Sequence, residues 1–349
     1  AACDPVGHSP ARRRSEFAQA MIIIAIILWA IVILGAVAVV YGSVVEARRV
    51  QTDRLEVRLP RLPVGLEGLR IVHIGDTHCK PGRFYEPLFR RMVEAVNAAE
   101  ADLVLVSGDL AAGGENTPIA ARWLGQCRGR LGVYAVPGNH DLNVTMERWL
   151  MGLGQGFDVE EERRWLAEAG VTLLHNESVV IEHQGVRILL LGVGDVSSGV
   201  DDLEEMLKSA PEGDFTILLT HSPDILDQPG VEVADLVLCG HTHAGQMMLP
   251  GLGPVWSPVW RVRSRGVGLL AAGDVVVHVT RGIGTSWPVR LGCPPQVAVL
   301  ELARGPVEGK SVPPTLAHRP RSKPPQAEKL ETSDRKGPSV GGEGLCCGG

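Results

Sequence analysis

Five short apolar runs within residues 68–302 end alike. LRIVHIG, ADLVLVSG, GVYAVPG, FTILLTH and ADLVLCGH each read as a buried strand that stops at a glycine or a polar residue. Each is joined at its end to groups able to bind a metal: Asp76 and His78, then Asp109, then Asn139, His140 and Asp141, then His221, then His241 and His243. Residues i and i+2 of extended backbone point to the same side, so His241 and His243 can face one point together, as can Asp76 and His78. The segments FYEPLFRRMVEAVNAA and EERRWLAEAG have the apolar period of amphipathic helices. Two hairpins are expected, turning at His183-Gln184-Gly185 and at Ala272-Gly273-Asp274. The pattern predicts two sheets packed together and flanked by helices, with the polar groups beyond the carboxyl ends of the strands.

Each of these residues also has a structural reading. Asp109 after a glycine suits a helix cap, Asn139 a turn, and His221 the cap of a helix opening at Ser222-Pro223. Five such coincidences on five strands favour a shared site instead. Two carboxylates, one amide and four imidazoles are mixed nitrogen and oxygen ligands for first-row divalent ions such as Mn, Fe or Zn. One carboxylate must bridge if two ions lie about 3.5–4 Å apart, as in two-metal hydrolases.

Residues 21–41, MIIIAIILWAIVILGAVAVVY, contain no charged side chain. As a helix at about 1.5 Å per residue they reach about 30 Å, the thickness of a bilayer's hydrocarbon core, so a single membrane span is expected. A cleaved signal peptide is the alternative, with Ala36-Val37-Ala38 as its processing site. Arg12, Arg13 and Arg14 precede the run and Arg48, Arg49 and Arg54 follow it, so the positive-inside rule leaves the side of the membrane open. Met21 is a second candidate start, which would remove the leading arginines. A net charge of −6 with 4% aromatic residues gives no footprint for nucleic acid. The seven cysteines form no CxxC pair, so neither a disulfide framework nor a structural zinc site is indicated.

The chain thus divides into an N-terminal segment at 1–20, a transmembrane helix at 21–42, a charged connector at 43–66 with one candidate strand (RLEVRL), a catalytic domain at 67–302 and a tail at 303–349. The tail is rich in Pro, Gly and charge, without apolar periodicity, and is expected to be disordered.

The motifs DTH, GD, GNHD, H and GHTH, in this order, resemble those of the calcineurin-like metallophosphoesterases. The resemblance implies an α/β fold, a four-layer αββα sandwich, carrying two divalent ions at the strand ends, manganese first among the candidates and iron or zinc next. Carried over residue by residue, it implies that Asp76, His78 and His243 hold one ion, Asp109 bridges, and Asn139, His221 and His241 complete the second. It makes His140 a catalytic histidine outside the ligand set, oriented by Asp141. GHTHAGQ, TRGIGTSWPVRLGCPP and the apolar N-terminal segment look like the YkuE-type membrane-associated phosphodiesterases, whose relatives include enzymes that hydrolyse the pyrophosphate of UDP-diacylglucosamine. Ala244 stands where that branch usually has Gly, and Gln296 where it has Glu.

The resemblance therefore implies a membrane-anchored phosphoesterase that cleaves a phosphodiester or pyrophosphate bond by metal-bound hydroxide, on a lipid-linked substrate. Arg281 and Arg290 are candidate phosphate ligands, and Trp256 and Trp260, beside Arg261, Arg263 and Arg265, are candidates for the membrane interface or an anionic headgroup. Phosphomonoesterase or cyclic-nucleotide phosphodiesterase activity on soluble substrates is an alternative, as is a tethered metal-binding protein without catalysis. The HExxH signature of amide-cleaving metalloenzymes is absent from the sequence.

Overall fold

The computed structural model describes residues 10–142, 158–249, 253–254, 266–285, 289–307 and 310–311. Among the described residues the α-helices are α1 (Pro10–Val44), α2 (Glu86–Ala98), α3 (Thr117–Leu124), α4 (Val159–Glu168) and α5 (Leu203–Ser209). The strands are β1 (Gln51–Leu59), β2 (Arg70–Ile74), β3 (Leu103–Ser107), β4 (Val133–Val136), β5 (Thr172–Leu173), β6 (Glu177–His183), β7 (Val186–Gly192), β8 (Phe215–Leu219), β9 (Leu236–Cys239), β10 (Met248–Leu249), β11 (Gly253–Pro254), β12 (Gly268–Ala272), β13 (Val275–Val279), β14 (Gln296–Arg304) and β15 (Lys310–Ser311). One sheet has the order β1-β14-β2-β3-β4-β5, the second β15-β12-β13-β9-β8-β7-β6, and β10-β11 form a small ribbon.

The layers follow from period-two alternation on strands that are apolar on both faces. On β3, Leu103 and Leu105 turn inward and pack with Ile188, Leu190, Phe215, Ile217 and Leu238 of the second sheet. Val104 and Val106 of the same strand turn outward, under Met92 and Val96 of α2 and Leu124 of α3. The outer face of the second sheet, Leu218, Val237 and Val277, is covered by Leu203 and Met206 of α5 and by Ile225. Helix, sheet, sheet and helix thus enclose three apolar layers, as expected. At 13 and 8 residues α2 and α3 are too short to be stable alone, and each is held by burying one face against a sheet.

Both expected hairpins form. β6 and β7 pair antiparallel from His183↔Val186 outward, and the two turn residues, Gln184 and Gly185, have φ of 48° and 78°, the pattern of a type I′ turn. Asp158 caps α4, its carboxylate accepting from the N–H groups of Glu160 and Glu161 at 3.0 and 3.1 Å.

Two boundaries differ from the sequence reading. The candidate strand of the connector, RLEVRL, lies within β1, which joins the domain's sheet by pairing in parallel with β14 over nine positions from Gln51↔Gln296 to Leu59↔Arg304. Its partner lies some 245 residues away in the chain, roughly the span of the whole domain, so local pattern alone could not place it. At the other end β14 runs to Arg304 and β15 pairs with β12 through Leu270↔Lys310, so the sheets take up the start of the stretch expected to be disordered. The remainder of that stretch, from residue 312, lies outside the described residues.

α1 is long and apolar enough to cross a membrane: its 35 residues have a mean hydropathy of 3.2 over the most apolar window, which is not buried by the rest of the protein. Its C-terminal end is packed down. Gly42, Glu46 and Ala47 are buried. A Cβ on Gly42 would lie 2.7 Å from the Arg290 carbonyl oxygen, so the close approach needs glycine. The Arg290 N–H donates to the Gly42 carbonyl at 3.3 Å, the Cys293 N–H to Glu46 Oε1 at 2.9 Å, and Arg91 Nη1 to the Arg48 carbonyl at 2.7 Å.

Candidate metal centre

β2, β3 and β4 run parallel, as do β7, β8 and β9, so within each sheet the carboxyl ends lie along one edge. Hydrogen bonds then stitch the two edges together. The His241 N–H donates to Asp76 Oδ1 at 2.9 Å, and His221 Nδ1 donates to the Ser107 carbonyl at 2.8 Å. A Cβ on Gly240 would lie 2.6 Å from Asp76 Oδ2, so the sheets can meet here only through a residue without a side chain.

Backbone strain concentrates at the same place. Asp76, His78, Asp109, His241 and His243 have φ of 50°, 42°, 49°, 67° and 47°. Each left-handed non-glycine residue costs of order 1–3 kcal/mol and persists only where its surroundings hold it. Here the Asp76 N–H donates to the Gly108 carbonyl and the His78 N–H to the Asp109 carbonyl, both at 2.9 Å. Ala244 adopts φ 51° as well, a conformation that costs a residue with a Cβ more than it would cost glycine.

The donor atoms form two groups that meet at one carboxylate. One donor atom each from Asp76, His78, Asp109 and His243 lie within 4.8 Å of one another. Within this group His78 Nε2 is 3.0 Å from His243 Nε2, 3.4 Å from Asp109 Oδ2, and His243 Nε2 is 3.5 Å from Asp76 Oδ1. On the other side His221 Nε2 is 3.4 Å from Asp109 Oδ2, 3.1 Å from Asn139 Oδ1 and 3.0 Å from His241 Nδ1. Ligands about 2.0–2.2 Å from one cation sit roughly 3–3.5 Å apart, so these separations match a shared ion. The second group is linked pairwise through His221 and is more open than the first.

A buried atom without a partner points the same way: Asp76 Oδ2 makes no hydrogen bond. His221 donates through Nδ1 to a carbonyl, which leaves Nε2 free to coordinate, the usual tautomer of a metal-binding histidine. The cluster is a buried Asp/His site suited to a divalent ion.

The electrostatics are those of a site short of positive charge. Burial lifts Asp76 to about 7, and the charge of Asp109 adds to this. Burial lowers His78 to about 3, with His140, His221 and Lys80 adding to the shift against the opposing pull of Asp109. Burial likewise lowers His241 to about 4, helped by His221, and His243 well below the ordinary range. For Asp109 burial acts upward but His221, His140 and His78 together outweigh it, and the carboxyl stays ionised. His221 is the counterpart: burial acts downward, yet Asp109 and the more distant Asp195 and Asp76 hold it well above the ordinary range.

His140 and Asp141 take different places. The His140 N–H donates to Asp109 Oδ1 at 2.9 Å, and its half-buried ring stands edge-on to His78 with centroids 4.6 Å apart. Asp141 does not orient that ring. Its carboxylate accepts from the backbone N–H groups of Gly138, Leu110 and Ala111 at 2.8, 3.0 and 2.8 Å, so it ties the β3 and β4 loops together.

Arg281 and Arg290 are engaged by other groups, although the Arg290 charge acts on Asp76 and His243. Arg290 is fully buried and donates to the carbonyls of Arg281, Cys293 and Gly284 at 3.0, 3.1 and 2.6 Å. Arg281 pairs with Asp53 at 2.8 Å. Gln296, where Glu is usual, donates to the same Asp53 oxygen at 2.7 Å, which a carboxylate could not do. The expected Trp256 and Trp260 lie outside the described residues. The sequence reading missed Lys80, although it repeats the i, i+2 spacing of Asp76 and His78, and missed the buried His73–His278 pair beneath the site.

A sequence profile of the calcineurin-like phosphoesterases matches residues 69–245, about half of the chain and the part that supplies every residue of the cluster. The chain belongs to this family. Phosphodiesterase YaeI of Escherichia coli is 35% identical over 48% of this chain and 57% of its own length, so the matched segment spans little more than half of that relative. The metallophosphoesterase YkuE of Bacillus subtilis is 26% identical over 75% of this chain and 88% of its own. A bovine transmembrane protein with a metallophosphoesterase domain is 31% identical over 79% of this chain and 62% of its own. More distant is UDP-2,3-diacylglucosamine pyrophosphatase LpxG of Chlamydia muridarum, 24% identical over 78% of this chain and 95% of its own.

Proposed function

We propose that the chain is a membrane-anchored, dinuclear-metal phosphoesterase that hydrolyses a phosphodiester or pyrophosphate bond in a lipid-linked substrate. The carrying observation is the position of Asp109 Oδ2, 3.4 Å from His78 Nε2 on one side and 3.4 Å from His221 Nε2 on the other, where a bridging carboxylate belongs. In this reading Asp76, His78 and His243 hold one ion, Asn139, His221 and His241 the other, and Asp109 joins them. Divalent ions there supply acidity to a coordinated water and offset charge on the phosphoryl oxygens. The chain's own residues do the rest. The left-handed backbone at the five strained ligands fixes their side chains before substrate arrives, and His140, outside the ligand set and half-buried, is placed to give a proton to the departing oxygen. Asp141 keeps the loop that carries Asn139 and His140 in register with Asp109.

Two relatives support the bond class by their names, the phosphodiesterase YaeI and the pyrophosphatase LpxG. α1 supports the anchor, and its packed end supports a site held at a fixed height above the bilayer: Glu46 accepts from the Cys293 N–H, and Cys293 Sγ donates to the His243 carbonyl at 3.4 Å. The test is turnover of bis-p-nitrophenyl phosphate by purified full-length protein with Mn added and with chelator. Activity restored by Mn after chelation is expected. Metal-loaded protein that cleaves no phosphodiester, pyrophosphate or phosphomonoester overturns the reading.

A further inference from the structure

The domain begins where the apolar run of α1 ends. Gly42, the first residue after the run at 21–41, is packed on the Arg290 carbonyl, so no free spacer separates helix and domain. With α1 read as a membrane span, a headgroup layer of roughly 5–8 Å follows the hydrocarbon core. The last helical residues, to Val44, rise only about 3 Å into it, and the short turn Glu46–Arg48 comes directly after. Arg48 and Arg49 then stand at headgroup depth. Tertiary contacts bring the start of α2 to the same place. The Arg48 guanidinium lies 3.5 Å from the centroid of the Phe84 ring, and Arg91 Nη1 donates to the Arg48 carbonyl at 2.7 Å. Arg83 and Arg90 are the chain neighbours of Phe84 and Arg91, and both are exposed, as are Arg49, Phe84 and Arg91.

Packing accounts for one face of α2 and leaves the other without a structural reason. Leu88, Phe89, Met92, Val93 and Val96 enter the core, while the arginines stay outside it. Among the described residues Arg48, Arg49, Arg83, Arg90 and Arg91 form no ion pair. The exposed acids of the same helix are Glu86 and Glu94, too few to balance five guanidinium groups. Like charges gathered at one place repel and cost stability, and the chain as a whole carries −6. A chain of that sign meets an anionic surface only by presenting a positive face, and these arginines form one. Their guanidinium groups match phosphate in geometry as well as charge, and Tyr41, exposed at the end of the apolar run, suits the headgroup level.

We infer that the base of α1 and the start of α2 form a docking surface for an anionic membrane leaflet, with Arg49, Arg83, Arg90 and Arg91 set against lipid phosphates. The inference rests on the reading of α1 as a span and goes beyond it: the domain lies on the bilayer by one fixed face instead of swinging from its anchor. Basic residues beside a span each add about fivefold to the attraction toward anionic lipid, and the attraction fades within a Debye length of about 8–10 Å. Docking also orients the metal centre. The loop that packs on Gly42 reaches His243 through Cys293, whose Sγ donates to the His243 carbonyl at 3.4 Å.

The experiment compares full-length protein in nanodiscs of phosphatidylcholine alone and of phosphatidylcholine mixed with phosphatidylglycerol. Amide hydrogen exchange across residues 83–91 is read by mass spectrometry. Exchange there should slow roughly fivefold or more in the anionic discs, and the slowing should vanish near 1 M salt, where the Debye length is about 3 Å. A triple variant, Arg49→Gln, Arg83→Gln and Arg90→Gln, should lose the slowing, and the matching Lys triple should keep it. Both should retain the natural unfolding midpoint in detergent. Equal exchange in the two kinds of disc overturns the surface, and that comparison needs no variant to fold. So does slowing that survives high salt or persists in the Gln triple. Slowing in neutral discs that grows with protein density overturns it as well, since a second copy of the chain would then cover the face. A protein that fails to enter either disc loses the anchor instead. Sedimentation with phosphatidylglycerol vesicles then reads the face alone, and absence of salt-sensitive binding overturns it.

Discussion

Asp109 and His140 sit one hydrogen bond apart and should fail differently when changed. Asp109→Asn removes the charge that both donor groups share, so metal content and turnover should fall together. His140→Asn should keep its metal and lose roughly 10²-fold or more in rate, the range for a lost general acid. Metal analysis by mass spectrometry beside the turnover assay checks both, and a metal-depleted His140→Asn would overturn its place outside the ligand set. Asp141 should behave as a structural residue. Its carboxylate accepts three backbone N–H groups, and Asn offers only one oxygen. Asp141→Asn should therefore cost about 1–3 kcal/mol in urea unfolding, with any rate loss following from the displaced loop.

At the scale of elements, β2 and β13 meet through a buried histidine pair. His73 Nδ1 lies 2.7 Å from His278 Nδ1, and His73 Nε2 lies 2.9 Å from Ser107 Oγ. His278 Nε2 has no partner. The consistent proton order is His278 donating to His73 and His73 donating to Ser107, with both rings neutral. Burial lowers His278 to about 4, aided by Arg281 and opposed by Asp53; burial and His278 lower His73 well below its usual range. The unfolded chain takes up these protons first, near pH 6.5, and the folded chain only near pH 4 for His278. Their contribution is therefore complete above about pH 6.5 and is lost as pH falls toward 4. His278→Leu should flatten the fall in stability across that window by up to about 1.4 kcal/mol per pH unit. Urea midpoints measured from pH 7 to 4 for both proteins check it; parallel curves would show that the pair does not titrate.

For the whole molecule, the decisive feature is the join between α1 and the sheets. Gly42 meets the Arg290 carbonyl, and the Arg290 side chain holds the loop from Arg281 to Cys293 by its carbonyls. Gly42→Val should strain this join and lower stability by about 1–3 kcal/mol, the usual cost of overpacking, seen as a lower thermal midpoint. If α1 spans the bilayer, the full-length protein should remain with membranes through high-salt and carbonate washing. Release by either wash, or a soluble form with a new N-terminus beyond Ala38, would replace the anchor with a cleaved signal.

Local pattern was enough to read the five buried strands, the span-length apolar helix and the polar residues at the strand ends. It could do so because apolar periodicity and residue chemistry are local: LVLVSGD states a buried strand and a carboxylate within seven letters. It even marked the departures at Ala244 and Gln296, though not that Gln296 would share Asp53 with Arg281. Which partner each polar group meets was set by contacts between distant segments. Asp141 and Arg290 have the chemistry of site residues, yet backbone groups brought in from other segments claim them first. Arg48, Phe84 and Arg91 are far apart in sequence, and folding brings them together at the base of α1. β1 found β14 across the length of the domain, and α1 was fixed to the loop that touches His243. Such pairings depend on chain segments far apart in sequence, and only the folded geometry settles which donors and acceptors are left over for chemistry.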